Sequence, residues 1–211
     1  MKRIEDFSLS DFDVLQEVGN IGASHAATAL SQLIDRKINM SVPSVNCVDF
    51  NELMEIVGGH EKNIVSISLQ VEGDVPGSMF FVLTPEEAVV LAQQVTGDSS
   101  IGVYHLQDHP LTQSALSEVG NILSGSYLST LSDFTKLQMQ PTVPQLSIDM
   151  AAAILMQGIL EISEESDFAL VIDTIIREEG NWNESVTGQF FFIPDPDSFS
   201  KIFHALGVAG S

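Results

Sequence analysis

Cysteine occurs once in this sequence, at Cys47, so an internal disulfide and a cluster of thiolate metal ligands are both excluded. Such a lone cysteine is expected as a small buried apolar residue. Basic residues are also scarce, 8 against 29 acids, which leaves a formal charge of -21. Nucleic acids and anionic lipid surfaces are held by clustered Lys and Arg, so neither is expected as a partner. Long apolar runs are missing too. The longer stretches without formal charge, such as Val18 to Ile34 and Met150 to Leu160, are short and broken by polar residues, and no membrane anchor is expected. Met1-Lys2-Arg3-Ile4 meets Glu5 and Asp6 at once, without the apolar core of a secretion signal, which points to a cytoplasmic protein. Gly-rich phosphate loops and Ser/His/Asp or Cys/His triad motifs are absent, which disfavours those enzyme classes.

What the chain does contain is 44% apolar residues over 211 positions, enough for one domain with a shared core. It also repeats itself. An offset of 101 residues lays Asp13, Glu17-Val18-Gly19-Asn20-Ile21, Leu30-Ser31 and Val42-Pro43 over Ser114, Glu118-Val119-Gly120-Asn121-Ile122, Leu131-Ser132 and Val143-Pro144. A second block, Gly77 to Val82 over Gly188 to Ile193, needs an offset of 111, so ten residues are inserted in the later half, at Glu161 to Asp167 or Glu178 to Glu184. The expectation is a single domain over residues 1–211 with internal repeats at about 11–98 and 111–208.

Each half reads in one order. Val14, Val18, Ile21, Leu30, Leu33 and Ile34 recur at helical spacing, and Leu111 to Leu131 is the counterpart. Strands follow at Ile38 to Val48, Ile64 to Val71 and Ser78 to Leu83. Pro85 opens a short helix through Val95 that ends at Gly97, and Pro196 to Leu206 is its twin, ended by Gly207. The fold class expected is α+β, a pseudo-twofold tandem repeat whose antiparallel sheet packs with two long helices and several shorter ones.

Along the first long helix, Asp13, Glu17, Asn20, Ser24, Thr28 and Ser31 are three or four apart and form one polar stripe; Ser114, Glu118, Asn121 and Gly125 repeat it. A single stripe of this kind is ordinarily the wet side of an amphipathic helix. Its duplication weighs against that reading, because Gly-Asn is a poor choice in mid-helix and occurs in both copies. The pair suggests an amide kept for presentation and a backbone without Cβ that lets a partner approach.

The spacing is specific: Asp or Ser, three residues, Glu, two residues, Asn, twenty-two residues, Pro, found as Asp13, Glu17, Asn20, Pro43 and again as Ser114, Glu118, Asn121, Pro144. In this the chain resembles the CheC, CheX and FliY family of chemotaxis phosphatases, over nearly its whole length and with the layout of CheC-type members. The resemblance implies dephosphorylation of the phosphoaspartate of the response regulator CheY. Asn20 and Asn121 would orient the attacking water, while Glu17 and Glu118 would pair with a Lys of the regulator. Asp13 and Ser114 would brace the interface, and Pro43 and Pro144 would only shape the chain. It implies no metal or cofactor of the chain's own, with Mg²⁺ carried by the partner. A second expected partner is CheD, a receptor-modifying deamidase. Asp149, an acid among small and apolar residues, is a candidate contact for it; equally, Asp149 fits a buried strand in which it caps the following helix. The rival to an enzyme is a non-catalytic scaffold, CheD-binding adaptor or flagellar-switch-like module, since FliM-like middle domains share the layout.

His105 and His109 could ligate a metal if helical, but the segment Gly102 to Pro110 reads as an exposed linker.

Overall fold

The computed structural model describes residues 9–161, 168–180 and 185–207. Helix α1 (Leu9–Ile34) leads to strands β1 (Ile38–Ser41) and β2 (Val45–Asp49), helix α2 (Phe50–Ile56), the hairpin β3 (Asn63–Gly73) and β4 (Gly77–Leu83), and helix α3 (Pro85–Thr96). After a short α4 (His105–Asp108) the order runs again: α5 (Pro110–Thr135), β5 (Met139–Pro141), β6 (Gln145–Met150), α6 (Ala151–Glu161), β7 (Phe168–Glu178), β8 (Ser185–Pro194) and α7 (Pro196–Ala205). The loops expected to hold the insertion lie mostly outside the described residues, at 162–167 and 181–184.

All eight strands join one antiparallel sheet in the order β1-β7-β8-β4-β3-β5, with β2 also on β7 and β6 also on β3. Each half therefore lends its first two strands to the long hairpin of the other. The seam is β4 against β8, with Phe80 opposite Phe191. A strand turns successive side chains to opposite faces, and both faces are covered here. On one, Val65, Ile67, Leu69, Phe81, Phe190 and Phe192 meet α1, α3, α5 and α7; on the other, Ile64, Phe80, Val82, Phe191 and Ile193 meet α2 and α6. Burial on both sides is why Phe80-Phe81-Val82-Leu83 is continuously apolar rather than alternating.

The caps follow from local chemistry. Thr84 and Glu87 form a capping box ahead of α3, and Gly97 ends that helix at φ 72°. Asp49 caps α2 by accepting from Asn51 N at 2.8 Å and Glu52 N at 2.9 Å. The expected strand Ile38 to Val48 is two strands, because Val42-Pro43-Ser44 leaves the ladder at a proline that cannot donate.

Candidate functional site: two Glu/Asn pairs on long helices

Helices α1 and α5 lie against the same face of the sheet and touch each other closely. A Cβ on Gly22 would stand 2.9 Å from a ring carbon of Tyr127, and His25 Nδ1 lies 3.3 Å from Thr130 Oγ1. Leu15, Val18, Ala23, Ala26 and Leu30 of α1 and Leu116, Val119, Leu123, Tyr127 and Leu128 of α5 are buried. Those apolar rows hold the helices down and leave the polar stripes outward.

On α1, Asp13, Glu17, Ser24 and Thr28 are exposed and Asn20 and Ser31 are half-buried; on α5, Ser114, Glu118 and Asn121 are exposed. Glu17 and Glu118 have no ion-pair partner among the described residues. An unpaired carboxylate at the surface is free to take a cation from another molecule. Glu118 and Asn121 are three apart, hence one above the other on the same helix face.

The two amides differ. Asn121 makes no side-chain hydrogen bond among the described residues. Asn20 donates through Nδ2 to Gln16 O at 3.0 Å and Val42 O at 3.2 Å, and its Oδ1 accepts from Val42 N at 2.9 Å. Pro43 lies between β1 and β2 and Pro144 between β5 and β6, so both shape a strand entry.

The role expected of the helix glycines is corrected. Gly19 and Gly120 are buried, and what approaches them comes from within: a Cβ on Gly19 would meet Val42 Cγ1 at 3.4 Å, and one on Gly120 would meet Ile67 Cγ2 at 2.4 Å. Sequence shows a missing side chain, not which surface fills the space.

Asp149 is exposed at the end of β6, and its Oδ1 accepts from Met150 N at 2.7 Å. It lines a groove of about 490 Å³ with Ser68, Gln70, Thr142, Val143 and Ile154. It is neither buried nor seated like Asp49, which accepts from the first turn of its helix. The linker reading of 102–110 is corrected in part: His105 to Asp108 form one helical turn, with His105 Nδ1 accepting from Gly102 N at 2.9 Å and His109 Nδ1 2.9 Å from Thr112 Oγ1. Among the described residues no three His, Cys, Asp or Glu side chains gather in a metal-binding group. Cys47 is half-buried; burial, and then the charge of Glu52, push its thiol up to about 12. Among the described residues no helix is long and apolar enough to cross a membrane.

With that geometry in place, the likeness to known proteins is specific. The model of the CheC-like family matches residues 13–47 and 111–148, the two segments that carry the Glu/Asn stripes. The chain is 43% identical over 197 residues to the CheY-P phosphatase CheC of Bacillus subtilis (strain 168), covering 93% of this chain and 94% of that one. It belongs to the CheC-like family. Among solved structures, Thermotoga maritima FliY superposes with a TM-score of 0.74 at 19% identity, over 96% of this chain and 98% of the other. The FliM middle domain from H. pylori superposes at 0.63 and 10%, over 94% and 99%. Those two likenesses concern the fold.

Proposed function

We propose that this protein is a phosphatase that removes the phosphoryl group from the phosphoaspartate of CheY in chemotaxis signalling, through Glu17/Asn20 and Glu118/Asn121. The observation that carries the reading is the exposed pair Glu118 and Asn121, one helical turn apart and without internal partners among the described residues. It stands in a chain 43% identical to a relative named CheY-P phosphatase. A module that only binds through its fold has no need of a carboxylate and a carboxamide held free on the same stripe.

The chemistry asks little of the protein. Transfer of a phosphoryl group to water is accelerated by placing the water in line and stabilising charge, which a neutral amide does without titrating. Asn121 holds the water on the phosphorus, and Asn20 has the same part in the first pair. Glu118 and Glu17 grip a Lys of the regulator in a charge-assisted contact that fixes the helix over the acyl phosphate, and Asp13 and Ser114 brace that contact. The regulator brings the phosphoryl group and the Mg²⁺; the phosphatase contributes position. Because an acyl phosphate is already labile, a gain of roughly ten- to a hundredfold, about 1.4 to 2.7 kcal/mol, suffices for signalling. The direct test compares phosphate loss from acetyl-phosphate-charged CheY with and without the protein. Acceleration supports the reading, and an unchanged rate contradicts it.

The second partner in this proposal is CheD, with Asp149 and its groove as the contact. The setting proposed is the cytoplasm, where CheY signals, and the two halves, about 11–98 and 111–208, are read as copies of one unit within a single domain.

A further inference from the structure

The two Glu/Asn pairs share a motif but hold different things. Asn20 has both amide hydrogens committed, to Gln16 O and Val42 O, and its Oδ1 accepts from Val42 N. Gln16, one turn earlier, ties down the same junction through Nε2, at 3.2 Å from Val42 O and 2.6 Å from Pro43 O. Val42 is only 2% exposed, with its side chain against Gly19.

In the later half the residue at the place of Gln16 is Ser117, which has no amide to reach out, and Val143 stands 83% exposed. That loop is held from the other side instead: Thr142 N donates to Gln70 O at 2.9 Å, and Gln70 N donates to Thr142 Oγ1 at 2.9 Å. Asn121 is left with its amide facing outward and unshared among the described residues.

Steering a water onto phosphorus requires an amide that can turn toward it. Asn20 can do so only by giving up the Val42 backbone. We propose that Gln16 is a positioning residue that latches the first site: while it pins the Val42-Pro43 junction, Asn20 is held by the backbone most of the time and turnover runs mainly through Asn121, and release of the junction opens the first pair. This rests on the reading of both Asn residues as orienters of water.

The test isolates the first site with Asn121→Ala and then opens the latch with Gln16→Glu, whose carboxylate cannot donate to the Val42 and Pro43 carbonyls. Phosphate release from charged CheY should rise about threefold or more in kcat over Asn121→Ala alone, and adding Asn20→Ala should remove the gain. A folded double variant no faster than Asn121→Ala, or a gain that survives Asn20→Ala, overturns the latch. In case Gln16→Glu does not fold, the unaltered protein gives a second readout: side-chain amide protons of Asn20 should exchange about tenfold or more slowly than those of Asn121. Equal exchange rates overturn the proposal. Full activity in Asn20→Ala/Asn121→Ala would instead sink the reading of the sites themselves, an outcome distinct from failure of the latch.

Discussion

Gly120 of α5 and Ile67 of β3 are packed so tightly that a Cβ on the glycine would stand 2.4 Å from Ile67 Cγ2 and 3.0 Å from its Cβ. Helical propensity alone would make Gly120→Ala stabilising by about 1 kcal/mol. Overpacking against a stiff β-branched side chain in mid-sheet costs about 1 to 3 kcal/mol, so the net effect should be destabilising, by up to about 2 kcal/mol. At Gly19 the same Cβ would meet Val42 Cγ1 at 3.4 Å, an ordinary contact, and Gly19→Ala should hold or raise stability. Paired thermal or urea unfolding curves check the contrast, and equal shifts would contradict it.

In the proposed mechanism Glu118 grips the partner and does not touch the reacting atoms. Glu118→Gln should therefore raise KM for phosphorylated CheY about five- to thirtyfold, with a smaller change in kcat. A collapse of kcat at unchanged KM would move Glu118 into the chemistry.

Tyr127 lies beneath α1, with its hydroxyl 3.1 Å from Thr174 Oγ1 and its ring 4.9 Å from that of Phe190. Burial pushes its pKa up to about 12 from 10, and the Thr174 contact only partly opposes that. A raised folded pKa means the native state holds its proton longer than the unfolded chain. The stability is complete below about pH 10 and is lost from there to about pH 12, by about 1.4 kcal/mol for each pH unit. Alkaline unfolding of the protein should flatten in Tyr127→Phe, which at neutral pH should cost about 1 kcal/mol through the Thr174 hydroxyl left alone. By the same argument, the Cys47 thiol, at about 12, should resist iodoacetamide at pH 8 until urea unfolds the chain.

Asp149 projects from the end of β6 into an open groove, so a charge reversal there changes the surface and not the core. Asp149→Lys should weaken capture of CheD while leaving the unfolding curve within about 0.5 kcal/mol. Undiminished capture would remove Asp149 from that interface.

The parts of the molecule legible in its sequence are those with a local cause. The long helices were visible through the helical spacing of Val14, Val18, Ile21 and Leu30 and its repeat in the later half, and α3 through Pro85 and Gly97. The Glu/Asn stripes were legible too, and both lie at the surface. Missed was α2, only two turns long, although Asp49 followed three positions later by Glu52 is the start signal that could have found it. The break after Ser41 had a local signal in Pro43 itself, but that Gln16 and Asn20 hold Val42 from 22 or more positions away could not be read, because periodicity carries no trace of tertiary hydrogen bonds. The same non-local contacts explain why two copies of one motif looked equivalent in sequence and are not in space.

The central claim is that a carboxamide on each long helix steers water onto a phosphoaspartate held by another protein. It is tested most directly by phosphate release from acetyl-phosphate-charged CheY with Asn20→Ala, Asn121→Ala and the double variant. The account predicts partial losses in the single variants, the larger for Asn121→Ala, and no acceleration by the double variant, which should still fold and bind. A double variant that dephosphorylates CheY at the unaltered rate would contradict it.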